Sequence, residues 1–203
     1  MVYSGFNQLT KLEMKKTIFY IAMAMLCLNF GARAQSGGEK TILPLQVGFK
    51  VPADFWNIEH LVYQNGNTIK ENLSKHKDKL IILDFWATWC STCINKFKGL
   101  EELQQVYGNK IKIILVNTKD TRDDEFKIDR LFSGQINPAK KYTLPSIYMD
   151  TYINTLFPHG FTPFYIIINP GGEVRAILPS ILVTNENIAL LLGKSKTQPI
   201  FKN

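Results

Sequence analysis

An apolar run that ends in two closely spaced cysteines constrains the fold of this chain more than any other feature. Residues 80–85 read LIILDF, and the segment WATW leads from them directly to Cys90 and Cys93. Such a run has the length and character of a strand that is covered on both faces. A helical pattern starts at once after it, so the cysteines are predicted to lie at a strand-to-helix turn.

The residues after the cysteines predict a βαβ unit. Apolar side chains recur close to the helical period, at Ile94, Phe97, Leu100, Leu103 and Val106. Gly108 then supplies a helix stop, and residues 111–117 form a second buried strand. Strand, helix and strand in this order favour a right-handed crossover that places both strands parallel.

The remaining segments complete the pattern of a single α/β layer sandwich. Early in the chain, Asn65-Gly66 indicates half of a hairpin, whereas residues 68–77 have a helix-compatible composition. Residues 133–160 are less regular. The other predicted elements are short edge structure at 43–52, a helix at 123–132, a short helix at 150–156, a β-hairpin of 164–168 with 173–178, and a final helix at 186–192 capped by Asn185.

Residues 1–34 carry the pattern of a secretory signal peptide. Two lysines precede the apolar run 18–30, and a small-x-small signature then predicts cleavage between Ala34 and Gln35. An uncleaved anchor is the alternative, but about 13 apolar residues fall short of the ~20 that a membrane span requires. We therefore expect a periplasmic protein that meets the membrane only through this segment.

Three further expectations concern the ends of the chain. Met14 is an alternative start, because residues 1–13 add nothing that a signal needs. A lipoprotein acylated at Cys27 is disfavoured because Leu26 is too bulky for a lipobox. Behind the signal peptide we expect a flexible lead over 35–44, a domain over 45–193 and a tail over 194–203.

The charge balance gives no support for a nucleic-acid partner. The full chain has a formal net charge of +7. Loss of the signal segment leaves about +4, because that segment holds four basic residues and one acidic residue. The remaining lysines are scattered among acids, as in Lys70-Glu71, and no basic patch interleaves with aromatic residues.

Cysteine usage points to redox chemistry. Cys27 would leave with the signal peptide, so the exported protein would hold only Cys90 and Cys93. A disulfide that closes a four-residue ring removes little entropy from the unfolded chain and therefore adds little stability, so a redox role is favoured over a structural one. A thiol in the first turn of a helix faces unpaired N–H groups and the positive end of the helix dipole, and both favour its thiolate.

The element order and the motif Trp86-Ala87-Thr88-Trp89-Cys90-x-x-Cys93 resemble those of the thioredoxin fold. Within that fold, the chain is most similar to the secreted TlpA/ResA-like thiol–disulfide oxidoreductases of bacteria, over about residues 47–192. The resemblance implies a thioredoxin-like α/β fold with a central mixed β-sheet flanked by helices. It also implies N-terminal extension strands and an insertion before a hairpin that follows a cis-proline.

The resemblance implies the catalytic residues as well. Cys90 is expected to be the exposed nucleophile, and Cys93 the more buried resolving thiol. Asp84, six residues before Cys90, matches a buried acid of the fold. Loss of solvation is expected to raise its pKa, which suits it to trade protons with Cys93. The alternative is a structural acid bonded to a lysine.

Substrate contacts are expected at Thr162-Pro163, where the family has its cis-proline loop. Pro163 would shape the groove, Thr162 would pair with a substrate peptide by strand-like hydrogen bonds, and Trp89 would pack beside the site. An ordinary trans proline at the start of a strand is the alternative.

Two positions depart from the family pattern. Members often carry Glu and Pro three and five residues after the second cysteine, where this chain has Lys96 and Lys98. Lys96 is expected to add positive potential near the thiolates. His159 lies close to the proline loop in the sequence and is a further candidate for the site, although a lone histidine is more often a surface or core residue.

We expect the Cys90–Cys93 pair to exchange with protein thiols and disulfides without a metal or an organic cofactor. A membrane dithiol donor would recharge the protein as a reductase, the direction that the family favours, and an oxidase is the alternative. A peroxiredoxin shares this fold but would need a Thr-x-x-Cys motif with an upstream proline. This chain has Thr88-Trp89-Cys90 instead and lacks that proline, so a peroxiredoxin is disfavoured. A copper-binding module would have only the thin ligand set of Cys90, Cys93 and a histidine such as His159.

Overall fold

The computed structural model describes residues 14–23 and 43–193. The chain divides into two units, Met1–Thr41 and Ile42–Asn203. In the first unit, residues 14–23 are helical. Across these two described ranges, every helix is too short or too polar to cross a membrane. The predicted cleavage site, Cys27 and the predicted tail lie outside the described residues.

The second unit is built on a seven-stranded mixed β-sheet. Its strand order is β2-β1-β5-β4-β3-β6-β7. The three central strands, β5, β4 and β3, run parallel, and the outer pairings are antiparallel. The predicted βαβ unit and the predicted hairpin are therefore confirmed. The strands are β1 (His60–Gln64), β2 (Asn67–Glu71), β3 (Leu80–Phe85), β4 (Ile111–Thr118), β5 (Ser146–Asp150), β6 (Phe164–Ile168) and β7 (Val174–Pro179).

Within residues 43–193, four α-helices accompany the sheet: α1 (Ser91–Tyr107), α2 (Glu125–Phe132), α3 (Tyr152–Leu156) and α4 (Asn185–Leu191). α1 begins at the cysteine motif and ends at Gly108, whose positive φ of 52° takes the chain out of the helix. Short 3₁₀ turns connect the elements at Ala53–Trp56, Ser74–His76, Gly108–Lys110, Lys119–Thr121 and Ser180–Leu182.

Strand β3 supplies side chains to two separate cores. Successive residues of a strand point to opposite faces. On one face Leu80 and Ile82 join the core that contains Cys93 and Phe97 of α1. On the other face the odd-numbered residues of β3, which are Ile81, Leu83 and Phe85, join a second core. This double burial explains why the strand is a nearly unbroken apolar run.

An aromatic cluster fastens α1 to the sheet. Phe97 is fully buried and lies 5.2 Å, centroid to centroid, from both Trp86 and Tyr142. Phe132 of α2 packs 5.6 Å from Trp86 and 6.0 Å from Phe97. Edge-to-face and tilted pairs of this kind each contribute about 0.5–1.5 kcal/mol beyond their area. The cluster fixes the helix that carries the cysteines.

Residues 68–77 do not form the α-helix that their composition favours: the segment continues strand β2 to Glu71 and then makes the 3₁₀ turn at Ser74–His76. The turn at Asn65 and Gly66, with φ of 52° and 80°, folds the chain back so that Val62 of β1 pairs with Ile69 of β2. Cross-strand pairing overrides the local propensity here. Ile69 is half exposed while Leu73 is buried, so these residues do not share a helix face.

Two other expectations need correction. Strand β5 lies inside the stretch 133–160, for which no strand was predicted, and it pairs with β4 and β1. Its partners are distant in the sequence, which explains why local patterns gave no signal. The last helix starts one residue earlier than expected: Thr184 is its N-cap and accepts a hydrogen bond from the Asn187 N–H.

Phe97→Ala should lower the free energy of unfolding by about 3–5 kcal/mol, because it removes the aromatic ring at the centre of the cluster. Urea denaturation followed by circular dichroism measures this. Val106→Ala, at a 69% exposed position on the same helix, is the control and should change the free energy by less than about 0.5 kcal/mol. Equal effects of both substitutions would contradict this account of the core.

Candidate active site

Cys90 and Cys93 form a disulfide at the N-terminus of α1. Their Cα atoms are 5.3 Å apart. Cys90 is the N-cap residue, and its sulfur accepts a hydrogen bond from the Cys93 N–H at 3.2 Å. The sulfur therefore occupies the place where a thiolate in the reduced protein would meet the unpaired N–H groups of the first turn.

The Cys90 side chain is less exposed than predicted. Only 7% of Cys90 is accessible, against none of Cys93. The order of exposure agrees with the expectation, but Cys90 is not an exposed thiol in the disulfide form. The reason is that both cysteines belong to the core that contains Trp86 and Ala87. Attack on the bridge is thus directed to the edge at which Cys90 reaches the surface.

A buried polar network holds the loop that leads to Cys90. The Asp123 carboxylate accepts hydrogen bonds from the Thr88 N–H at 2.7 Å, from the Thr88 hydroxyl at 2.5 Å and from the Asn117 amide at 2.8 Å. Asn117 also donates to the Trp86 carbonyl at 3.3 Å. Asp123 and Asn117 were not predicted as site residues. The helix predicted at 123–132 begins with Asp123, and no local sequence pattern indicates that its carboxylate would contact Thr88 and Asn117.

Asp84 is fully buried on the side of the sheet that faces Cys93. It shares this face with Leu80 and Ile82 by strand alternation. Burial raises the pKa of Asp84 well above its usual value, and the Tyr165 hydroxyl offsets part of that effect. Among residues 14–23 and 43–193, neither carboxylate oxygen has a partner at regular hydrogen-bond geometry. The alternative of a structural acid bonded to a lysine is therefore wrong.

A groove opens between the cysteine loop and the proline loop. Trp89 is 68% exposed on one side, and its indole N–H donates to the Thr121 carbonyl at 3.2 Å. Thr162 lies on the other side, and its bond to Pro163 is cis, as predicted. The groove has a volume of about 150 Å³ and is lined further by Thr118, Asp120, Thr121, Asn154, His159, Gly160 and Phe161. Two of the three predicted substrate contacts thus meet in one concave surface.

His159 forms part of the wall of this groove. Its ring stacks on Phe164 with a centroid distance of 5.2 Å and lies 4.3 Å from the Phe85 ring. Its Nδ1 is 3.2 Å from the Phe157 carbonyl, which requires the proton to be on Nδ1. Burial lowers the pKa of His159. His159 is therefore neutral at pH 7 and acts as an apolar and hydrogen-bonding surface rather than as a charge.

The two departures from the family pattern lie on the exposed surface of α1. Lys98 is exposed, and Lys96 lines a separate recess with Leu100 and Tyr165, outside the groove. Within residues 14–23 and 43–193, no group of three or more His, Cys, Asp and Glu side chains is placed to hold a metal ion, and His159 does not form one with the cysteines.

Comparison with known proteins agrees with this geometry. The family model for thioredoxin matches residues 60–130, which contain β1–β4, α1 and the cysteine motif. Residues 60–130 are therefore similar to the thioredoxin family. The thioredoxin-like protein YneN of Bacillus subtilis is 34% identical over 108 residues, which cover 53% of this chain and 61% of YneN. The thiol–disulfide oxidoreductase ResA of Geobacillus kaustophilus is 26% identical over 122 residues, which cover 59% of this chain and 64% of ResA.

The fold is shared with solved thioredoxin-domain structures. A putative thiol:disulfide interchange protein DsbE from Chlorobium tepidum superposes with a TM-score of 0.53 at 21% identity, covering 73% of this chain and 99% of that protein. The thioredoxin-like fold and the resemblance to ResA-like proteins are thereby confirmed. The chain spans about three fifths of the length of the two relatives named above.

Asp84→Asn should stabilise the oxidised protein at neutral pH. Because the pKa of Asp84 is higher in the folded than in the unfolded chain, the native state holds the proton more tightly, and stability is lost as pH rises above about 4. The variant lacks this loss, so its free energy of unfolding should exceed that of the wild type at pH 8. The gain should vanish at pH 3.5.

Urea denaturation at the two pH values measures this difference. Glu102→Gln, at an exposed carboxyl of α1, is the matched control and should show no such pH-dependent gain. A pH-independent effect of Asp84→Asn would contradict the raised pKa.

Proposed function

We propose that this domain is a thiol–disulfide oxidoreductase that exchanges the Cys90–Cys93 pair with the thiols and disulfides of protein substrates. The observation that carries the proposal is the position of the Cys90 sulfur, which caps α1, bonds to Cys93 and accepts the Cys93 N–H. The names of the relatives and the thioredoxin domain support it.

In the reducing direction, the first step is attack by the Cys90 thiolate on a substrate disulfide. A new bond forms between Cys90 and one substrate sulfur, and the other substrate sulfur leaves as a thiolate. The N–H groups and the dipole of α1 favour the thiolate form of Cys90 at neutral pH. The product of this step is a mixed disulfide. One S–S bond has replaced another, so the step involves no net oxidation or reduction.

The second step releases the substrate. Cys93 loses its proton to the Asp84 carboxylate, and its thiolate attacks the Cys90 sulfur. The mixed disulfide breaks, the substrate leaves with two thiols, and the Cys90–Cys93 disulfide remains. Asp84 suits this role because its raised pKa brings it closer to that of a thiol than an exposed carboxyl would be. No metal or organic cofactor is required.

The groove provides a surface for an extended substrate segment. Thr162 would pair with the backbone of the segment, and Pro163 would hold that edge of the groove. Trp89 and Phe161, both largely exposed, would cover the apolar side chains next to the substrate cysteine. These contacts do not depend on one substrate sequence, which is consistent with several protein substrates.

We propose that the protein works outside the cytoplasm as a reductase. The predicted signal peptide and the ResA-like relationship support this assignment. A reductase in an oxidising compartment needs a supply of electrons, and a membrane dithiol donor would provide it. Oxidation of substrate dithiols by the same pair is the alternative direction.

The protein should accelerate the reduction of insulin by dithiothreitol, measured as turbidity. Cys90→Ser should abolish the acceleration, because it removes the nucleophile. Cys93→Ser should form a stable mixed disulfide with insulin chains, visible by non-reducing electrophoresis and mass spectrometry. Failure of the wild type to accelerate the reaction would refute the proposal, and stable adducts with Cys90→Ser instead would assign the nucleophile to Cys93.

A further inference from the structure

Asp84 has a buried position that conflicts with its proposed role. It is fully buried, and both of its carboxylate oxygens lack a regular hydrogen-bond partner in the part of the chain that the structure describes. A group that accepts a proton from Cys93 in each catalytic cycle must return that proton to water. The sheet and α1 cover Asp84, so this return requires a path.

Tyr165 is the polar neighbour of Asp84. The two residues are directly opposite in the antiparallel pair of β3 and β6, so their side chains share one face and their Cβ atoms lie roughly 5 Å apart. Burial raises the pKa of Tyr165, and the nearby Asp84 carboxylate raises it further. Tyr165 therefore keeps its proton at all working pH values, and its hydroxyl can accept one proton while it donates another.

Tyr165 also lines a recess between α1 and the segment before α4. The recess has a volume of about 240 Å³, and its other lining residues are Lys96, Gly99, Leu100, Leu103, Val183, Thr184 and Asn185. Water occupies about 30 Å³ per molecule in the liquid, so several molecules fit. Lys96 and Gly99 are exposed, whereas Tyr165 is only 1% exposed, so the lining of the recess extends from the surface to a buried side chain.

Gly99 keeps this recess open. It lies within α1, where glycine costs about 1 kcal/mol relative to alanine. A β-carbon built at Gly99 would meet no atom within 4 Å, so no close packing demands the glycine. Its φ is not in the left-handed region either. Gly99 is exposed and lines the recess with open space beside it, so a long side chain at this position would extend into that space.

We propose that this recess is the proton path of Asp84, with the Tyr165 hydroxyl as its inner link and Gly99 as the residue that leaves it open. The inference rests on the proposed thiol exchange. After Cys93 has given its proton to Asp84, the protonated carboxyl donates to the Tyr165 oxygen while the tyrosine donates its own proton to water in the recess. The steps reverse when the cysteines are reduced again.

Apart from Cys93, which is the proton donor, the other titratable groups on the neighbouring elements are exposed or lie on the opposite face of the sheet. α1 brings Cys93 and Lys96 to this region, and α4 brings Glu186, which is fully exposed. β4 brings Lys112, but its side chain points to the opposite face of the sheet and its charged neighbours are Lys75 and Lys79. Burial and the Tyr165 hydroxyl are accordingly the influences on the pKa of Asp84.

A single-turnover reaction of the reduced protein with an equimolar amount of the chromogenic disulfide DTNB separates the two exchange steps. Attack by Cys90 releases the first thionitrobenzoate, and attack by Cys93 releases the second. Tyr165→Phe keeps the ring and removes the hydroxyl, and Gly99→Met fills the recess. Both substitutions should slow the second phase about tenfold, which is a modest part of the rate enhancement that general acid–base catalysis supplies. The rate of the first phase should stay within about twofold of the wild-type rate.

The pH profile and a smaller substitution provide the controls. In Tyr165→Phe the midpoint of the second phase should move to higher pH, because the carboxylate loses the hydroxyl that stabilises its charge. Gly99→Ala adds one carbon without filling the recess and should leave both phases unchanged. Circular dichroism and urea denaturation show whether each variant is folded.

The outcomes distinguish this inference from the proposed function. If Asp84→Asn slows the second phase but Tyr165→Phe and Gly99→Met do not, the exchange mechanism stands and the proton path is wrong. Equal slowing by Gly99→Ala and Gly99→Met would also overturn the path, since it would trace the effect to the helix. A wild type that shows no second phase would refute the thiol exchange itself.

Discussion

Burial of β3 on both faces is the constraint on which the candidate active site depends. Because the strand is covered on each side, packing on both faces holds its C-terminal end and the start of the loop that follows. That loop is then fixed by Asp123, and α1 by the aromatic cluster around Phe97. Cys90 therefore reaches the start of α1 with its sulfur directed at the Cys93 N–H. The chemistry of the pair follows from this placement.

The same burial creates the problem that the site must solve. A carboxyl group in a central strand is costly, and Asp84 lowers the stability of the folded protein at neutral pH. The cost is understandable if the raised pKa has a use at Cys93. The recess beside Tyr165 provides contact with water without exposing the strand. Asp84 thus lowers the stability of the protein, takes part in the proposed proton transfer and depends on the recess for contact with solvent.

Features that depend on local patterns could be predicted from the sequence, and features that depend on distant partners could not. The length and period of apolar runs predicted β3, α1, β4 and the hairpin of β6 and β7. The strands β2 and β5 exist because of cross-strand pairing, and residues 68–77 have a composition that misleads when the partner strand is ignored.

The candidate site shows the same division. Cys90, Cys93 and Asp84 share one short segment, so a motif identifies them. Trp89 and Thr162 of the groove were also expected from the resemblance. Asp123 and most of the other groove residues come from other segments and meet only in the folded chain, as Asp120 and Asn154 do through a hydrogen bond of 2.9 Å. The exposure of Cys90 was overestimated because burial depends on packing around the disulfide, which no local pattern reports.

The reduction potential of the Cys90–Cys93 pair tests the central claim most directly. Equilibration in glutathione redox buffers, followed by alkylation and mass spectrometry, gives the fraction reduced at each potential. An exchange-active pair should titrate as one two-electron couple with a potential roughly between −120 and −270 mV, the range of thiol–disulfide oxidoreductases. A disulfide that stays oxidised until below about −300 mV would behave as a structural bridge and would contradict the account.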